Sequence, residues 1–419
     1  MIKQFNKLLL TCSMLTAGVW SSSAFAVEPP VLCPGYVPAK TQLIGQSAGK
    51  KLTAAFEAYN QDNTPEAIRI LKDIEAKEPF DQATVNKFLG QLLISEDDKE
   101  EEALKTLIAS VDTKVLNDKD HADVLYLAAQ LSLQLEKFED SIAWYEKWMK
   151  FTCKEDSETY TRIGQAYTQM KQFAKVIEPA DKAIALLEEP KKDPYVLKVS
   201  SYMEQKQFKN ALDVAKTLVV LFPDDKQWWI MTGQFYMMLE DYTNALATLS
   251  AAYRQGFLTK KSDIKLLIQL YSAQDAPIQG ARLYKKYLEE GLFEENEQEL
   301  ASLARTYHQA KEYKSAAQYY AKAAAKEPKP DYFQKQGELL LNAEDYKGSI
   351  AALNKALEAG IDSPTKVHFT LMQANFYAEN FTKAYEHAKE SSTDSSLRRN
   401  ARAWMSHIKT KAKNRGINL

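Results

Sequence analysis

The chain has 419 residues, with 54 basic and 56 acidic side chains, a formal net charge of −2 and 45% apolar residues. Such a composition suits a folded chain rather than a disordered one, and a balance so near zero exerts no global pull on nucleic acid. Gly and Pro number only 14 each, about half their usual combined share of roughly 12%, which disfavours turn-dense β-folds and Gly-rich phosphate loops and points to an all-α chain.

At the N-terminus, Lys3 and Lys7 lead into an apolar stretch from Leu8 to Val19, and small residues follow as far as Ala24-Phe25-Ala26. A basic start, an apolar run too short to span a bilayer and a small-x-small site predict a cleaved export signal over residues 1–26. The mature chain is then expected to start at Val27, in the periplasm of a two-membrane bacterium. Losing Lys3 and Lys7 leaves 52 basic against 56 acidic groups, a net charge of −4. Cys12, preceded by Thr11 and so close to the start, does not fit lipoprotein processing.

Residues 27–47 read as an extended segment with Pro34, Gly35 and Pro38. The mature chain keeps two cysteines, Cys33 and Cys153. In an oxidising compartment an isolated pair reads as one disulfide, which would pin this segment against the middle of the fold. The alternative is two unpaired buried thiols.

From residue 48 to 391 the sequence repeats. Phe173, Phe208, Tyr242, Tyr313, Tyr346 and Phe381 each sit in a short polar turn ahead of an amphipathic run. Three residues beyond five of them stand Ala211, Ala245, Ala316, Ser349 and Ala384, while Val176 breaks the size rule. With Ser141 and Gly280 in the same register, the spacings from Ser141 onward are 35, 35, 34, 35, 36, 33 and 35 residues. Ala67 and a weaker unit near Ala103, set off by an enlarged acidic loop at Glu96–Glu102, extend the series upstream. A period of this length predicts stacked pairs of antiparallel helices, in which a small residue on the second helix lets the first approach closely. Gly164, Gly233 and Gly337 hold the matching close-contact place on first helices, and Pro79, Pro223 and Pro328 are expected to end second helices.

These residues resemble the tetratricopeptide repeat, best in Trp229, Gly233, Tyr236, Tyr242, Ala245, Leu249 and Ala252. The resemblance implies an all-α solenoid, a right-handed superhelix of about ten helix pairs, with first helices lining a concave groove. It also implies that the ninth position of each first helix points into that groove. From the third unit onward those positions are Gln130, Gln165, Ser200, Gln234, Gln269, Arg305, Glu338 and Gln373. A ladder of amides that both donate and accept suits the backbone of an extended peptide. The plainer reading is that Gln is a good helix former at any exposed position. Tyr126, Met203, Ile230, Met237, Met238, Phe369, Phe376 and Tyr377 would add apolar grip, or belong in part to the core. Of the Lys and Asn pairs that capture C-terminal carboxylates in related domains, only Lys265 and Arg305 come near, and the Asn partners are missing.

Residues 395–419 predict one further helix, with Leu397, Ala401, Trp404 and Ile408 on one face and no acid at all. Its cations include Arg398, Arg399, Arg402, Lys409, Lys411 and Lys413. A cap over the last repeat's apolar face is expected, and contact with anionic lipid or an acidic partner is compatible with it. The five histidines are scattered, no nucleophile or metal motif occurs, and the repeats leave no room for a catalytic domain. No cofactor, metal site or catalytic residue is expected.

The start of the mature chain, Cys33-Pro34-Gly35-Tyr36, then Thr41-Gln42-Leu43-Ile44-Gly45 and Gly49-Lys50-Lys51-Leu52, is similar to a family of periplasmic tetratricopeptide proteins of marine γ-proteobacteria. These accompany TonB–ExbB–ExbD systems. That resemblance implies a non-enzymatic scaffold serving TonB-dependent, iron–siderophore type uptake. Two other readings use the same chain: a scaffold for outer-membrane assembly or polysaccharide export, and an enzyme or enzyme regulator acting on peptidoglycan.

Overall fold

The computed structural model describes residues 29–419; the expected signal 1–26, its cleavage point and Cys12 lie outside the described residues. Among the described residues there are 21 α-helices and no strand. Two compact units divide the chain between Val214 and Ala215.

In the first unit an extended stretch leads to α1 (Gln46–Asn60) and α2 (Thr64–Lys72), then α3 (Pro79–Leu93) and α4 (Glu100–Val111). Next come α5 (Asp118–Gln134) and α6 (Phe138–Thr152), α7 (Ser157–Gln169) and α8 (Phe173–Ala185), then α9 (Asp193–Glu204); the boundary falls inside α10 (Phe208–Leu221). The second unit continues with α11 (Lys226–Met238) and α12 (Tyr242–Arg254), then α13 (Lys261–Ala273) and α14 (Pro277–Glu289). It goes on through α15 (Glu297–Gln309) and α16 (Tyr313–Lys326) to α17 (Pro330–Asn342) and α18 (Tyr346–Glu358). α19 (Pro364–Tyr377), α20 (Phe381–Ser391) and α21 (Arg398–Asn414) complete it. From α1 to α9, and again from α11 to α21, every helix packs on its neighbour in sequence. First helices of adjacent pairs also touch, α1 on α3 and α7 on α9 in one unit, α17 on α19 in the other.

One turn design generates the period. The residues Glu136, Lys171, Lys206, Glu240, Asp275, Lys311, Glu344 and Glu379 all have a left-handed backbone, with φ between 53° and 61°. Each follows a first helix and reverses the chain. At Glu240 the backbone N–H donates to the Met237 carbonyl (2.9 Å) and the next N–H, of Asp241, to that of Tyr236 (2.8 Å). The same two bonds recur at Glu136, Lys171, Lys206, Lys311, Glu344 and Glu379, so the last turn of each first helix has its carbonyls satisfied. Two residues further on, the second helix opens on an aromatic in α6, α8, α10, α12, α16, α18 and α20.

The residue three beyond that aromatic carries the close contact. Ser141, Val176, Ala211, Ala245, Ala316, Ser349 and Ala384 have no exposed surface. Val176 fits although it is larger than its counterparts. Where the residue is Ser, its hydroxyl donates to a first-helix carbonyl twelve positions back: Ser141 to Ala129 and Ser349 to Gly337, both at 2.8 Å. In α14, which opens on Pro277 instead of an aromatic, the same place is Gly280, where an added Cβ would stand 3.0 Å from the Ile268 carbonyl oxygen, again twelve positions back. On the opposing side, a Cβ at Gly233 would meet Leu249 at 2.6 Å, and one at Gly337 would meet Leu353 at 2.4 Å.

The extended N-terminal segment is held along the first unit. Cys33 is disulfide-bonded to Cys153, 120 residues away at the C-terminal end of α6. The Leu32 N–H donates to the Thr152 carbonyl (2.7 Å) and the Tyr36 hydroxyl to Asp118 (2.8 Å). Gln42 exchanges bonds with Asn117, its N–H donating at 2.8 Å and its carbonyl accepting at 3.2 Å. Finally the Gly45 N–H donates to Asp81 (3.0 Å). The segment therefore runs from the third helix pair back to the first.

Two local expectations need correction. Pro79 does not end a second helix; it opens α3, where its missing N–H costs nothing. Pro223 and Pro328 do follow the ends of α10 and α16. The acidic stretch is not wholly loop, because Glu100–Glu102 form the first turn of α4, where the helix dipole favours them and Lys137 pairs with Glu101. Only residues 94–99 connect α3 to α4.

Opposite signs are expected for two glycine changes seven residues apart. Gly337→Ala forces a methyl into Leu353 and should cost about 1–3 kcal/mol, whereas Glu344→Gly relieves a left-handed residue and should be neutral or stabilising by up to about 1 kcal/mol. Urea denaturation of the two single variants checks both. Removing the disulfide with Cys33→Ser and Cys153→Ser should cost about 4–5 kcal/mol on the chain-entropy account, and limited proteolysis should then cut first between residues 29 and 45.

Candidate functional site

The expected binding residues fall into the two units separately. In the first, Tyr126 and Gln130 lie one turn apart on α5, and Gln165 lies on α7; all three are half-buried. Tyr126 turns its ring edge-on to Tyr145 (5.5 Å) and Trp148 (5.1 Å) of α6, so much of it serves the pair's own core. Burial pushes its phenol above the ordinary range. In the second unit Gln234, Gln269 and Arg305 are exposed on α11, α13 and α15, and Gln373 on α19 is half-buried.

The structure brings Arg305 and Lys265 into one open cleft of about 540 Å³, lined by the first helices α13, α15 and α17 together with Tyr320 of α16. Gln269 sits one turn along α13 from Lys265 on the same side. Neither Gln234 nor Gln373 lines this cleft. Its walls alternate in charge: Lys265, Arg305, Lys329 and Lys335 against Glu297, Glu299 and Asp331, with Tyr320 and Tyr332 6.1 Å apart as its aromatic part. Arg305 donates to the Ser302 hydroxyl (2.8 Å), and among the described residues no carboxylate pairs with it.

Glu299 holds the cleft's floor. Only 6% exposed, its carboxylate accepts from Lys265 (2.7 Å), from Lys261 (2.9 Å) and from the Tyr284 hydroxyl. Burial by itself raises this carboxyl, but the bonds from Lys265, Tyr284 and Lys261 outweigh it and hold the group below its usual range. Burial and the same bond push the Tyr284 phenol up. This network ties the pair α13–α14 to α15. Sequence patterning missed it, because a Glu in a helix gives no sign of burial unless its partners are known. On the rim, Lys329 bridges Glu297 (3.1 Å) and Glu327 (2.9 Å), raising the lysine and lowering Glu297.

At the C-terminal end, α21 buries Ala401 and places Ile408 and Ala412 in one cluster with Met372, Phe381, Ala384 and Ala388, and Phe376 packs edge-on to Trp404 at 5.2 Å. Arg398 donates to the Ser392 and Thr393 carbonyls (3.2 and 3.3 Å), which ties down the helix start. Arg399 and Arg402 stay exposed, and Arg415 pairs with Glu379 (2.7 Å). The histidines are not all isolated. His368 of α19 and His387 of α20 face each other with Nδ1 atoms 3.0 Å apart. Burial lowers both imidazoles, and His368 lowers His387 further.

Paired antiparallel helices that pack on their neighbours in sequence, from α1 to α9 and from α11 to α21, are the arrangement of an α-solenoid. Residues 196–256 match the family model described as Tetratricopeptide repeat, and the fold is an all-α solenoid of the tetratricopeptide type. No curated protein matches the chain in sequence. Among solved structures, a tetratricopeptide repeat protein from Parabacteroides merdae is 14% identical with a TM-score of 0.36, over 79% of this chain and 99% of that one. Naa15/Naa10 bound to HypK-THB gives 12% and 0.47 over 88% and 61%. YrrB, a TPR protein with an unusual peptide-binding site, gives 17% and 0.34 over 50% and 97%. No helix among the described residues is long and apolar enough to cross a membrane.

Replacing Glu299 with Gln keeps the shape and removes the charge that Lys261, Lys265 and Tyr284 address, and should cost about 1.5–3 kcal/mol. Because the folded carboxyl titrates below its unfolded value, its contribution is present above about pH 4.3 and is lost as the pH falls through the folded value. The stability gap between the native chain and Glu299→Gln, followed by urea titration, should therefore be constant from pH 7 to 5 and shrink below about pH 4.

Proposed function

We propose that this chain is a non-enzymatic protein-interaction scaffold whose first-helix face receives an extended segment of a partner protein. The observation that carries the reading is the cleft between α13, α15 and α17, where an exposed Arg305, the Ser302 hydroxyl, two tyrosines and a carboxylate rim meet on one surface. Alternating donors and acceptors on a rigid helical face suit a peptide main chain with mixed side chains, and binding would sum many modest contacts rather than concentrate in one site. Gln269 extends this surface along α13, and Gln234 offers the same chemistry on α11.

The cellular setting in this proposal rests on the sequence. The N-terminal pattern supports export and cleavage after Ala26, and so a periplasmic location. The resemblance over Cys33–Leu52 supports an accessory role in a TonB–ExbB–ExbD system for TonB-dependent uptake. The exposed Arg399 and Arg402 of α21 would allow peripheral contact with anionic lipid while the opposite face of that helix packs on α20.

Affinity capture of the mature protein from crosslinked envelopes of iron-starved cells, beside a variant carrying Gln234→Ala, Gln269→Ala and Arg305→Ala, tests both parts. TonB, ExbB or ExbD should be enriched, and at least threefold less so with the variant. Enrichment that the variant leaves untouched would remove the face from the proposal. Capture of outer-membrane assembly or polysaccharide-export machinery instead would remove the TonB role, and hydrolysis of purified sacculi by the protein alone would overturn the scaffold reading.

A further inference from the structure

His368 and His387 come from opposite strands of the final helix pair, on α19 and α20, which run antiparallel and pack face to face. Their rings lie nearly parallel, 29° apart with centroids separated by 5.2 Å, and both are half-buried. The two Nδ1 atoms approach to 3.0 Å. Without a metal, one Nδ1–H donates to the lone pair of the other, so the pair is satisfied as a neutral hydrogen bond. The separation of the two nitrogens has a second use. Two imidazole nitrogens at about 2.0–2.1 Å from one ion are about 2.9 Å apart when they subtend a right angle and about 3.3–3.4 Å apart at the tetrahedral angle. A separation of 3.0 Å therefore corresponds to an angle of about 91–97° at such bond lengths, the cis arrangement of a square-planar or octahedral ion.

We propose that His368 and His387 form a bidentate site for a divalent transition-metal ion, with preference Cu2+ over Ni2+ over Zn2+. The ion takes the place of the shared proton: both Nδ1 lone pairs bind it, and the ring that carried Nδ1–H carries its proton on Nε2 instead, so no net charge leaves the pair. No third His, Cys, Asp or Glu joins them as a ligand group among the described residues, so water fills the remaining positions. The charged neighbours are Glu386, Glu390 and Lys383 of α20, the first two favouring a cation. The right angle and the general affinity order of nitrogen sites both place Cu2+ first. Bridging α19 and α20, a bound ion would clamp the pair on which α21 rests.

The mature chain, treated with chelator and desalted, is titrated with CuCl2, NiCl2 and ZnCl2 in a non-coordinating buffer by calorimetry, with electron paramagnetic resonance of the copper form. One Cu2+ per chain is expected, with spectra showing nitrogen ligation and with nickel and zinc binding progressively more weakly. His368→Gln and His387→Gln should each weaken Cu2+ binding at least tenfold, while His308→Gln, on the unrelated α15, should leave it unchanged; far-UV circular dichroism confirms that the variants fold. Should either variant fail to fold, Cu2+ broadening of the His368 and His387 ring signals in the native chain provides the test. Absence of stoichiometric Cu2+ uptake, uptake equal in both His variants and the native chain, or broadening confined to other histidines would each overturn the site.

Discussion

The structure depends on how closely two antiparallel helices can approach at one point in each pair. Ser141, Ser349 and Gly280, each three residues after the one that opens its second helix, lie against a first-helix carbonyl twelve positions upstream. That separation favours small side chains, and the buried Ala and Ser residues at these places record it. Everything else follows from the approach. Leu249 and Leu353 fill the space over Gly233 and Gly337, and the three-residue turn has to reverse the chain within a fixed length. Sequence length then becomes a spatial period, because a repeat that gained a residue in that turn would lose the register of its own contact.

This explains why the fold could be read from the sequence. Steric limits leave a compositional mark: Ala211, Ala245, Ala316 and Ser349 are small and fully buried, and their spacing exposes the period. Even Val176, which breaks the pattern in type, occupies the same buried place. The left-handed turn residues left no such mark. Glycine would be the usual occupant, yet Lys, Glu and Asp fill these positions. Each of the seven other than Asp275 accepts a local strain that two backbone hydrogen bonds and the packing of the next helix offset. Low glycine content thus argued correctly for helices but concealed the turns that join them.

The site was legible to a lesser degree, for a related reason. A position number within a repeat says which way a side chain leaves its own helix but not how much of it stays open: Gln234, Gln269 and Arg305 are exposed, whereas Gln130, Gln165 and Gln373 are half-buried. It does not tell which residues of neighbouring pairs come into range. Lys265, read from sequence as half of an incomplete carboxylate clamp, is committed to Glu299 from the next first helix, while Arg305 is left to Ser302. The His368–His387 contact is a second case. Nineteen residues apart and flanked by no motif, the two meet only because α19 and α20 pack antiparallel in that register. The path of the N-terminal segment is a third, since sequence suggested its attachment at Cys153 but not its hydrogen bonds at Asp118, Asn117 and Asp81.

A solenoid built from nearest-neighbour contacts distributes both stability and recognition along its length. Charge behaves the same way here. The chain is nearly neutral as a whole, so long-range steering is weak and affinity has to come from places where local charge departs from the average. Two such places stand out in the second unit. The cleft around Arg305 mixes both signs at close range, which favours ligands carrying donors and acceptors in alternation over simple ions. Residues 395–419, by contrast, contain seven Lys and Arg and no acid, and one of these cations, Arg415, is paired with Glu379. Because the apolar face of α21 is already used to close the last repeat, its cations can act only at the surface. The helix is therefore suited to a weak electrostatic contact that leaves the end of the solenoid closed, rather than to insertion, which would uncover Phe376 and Ile408.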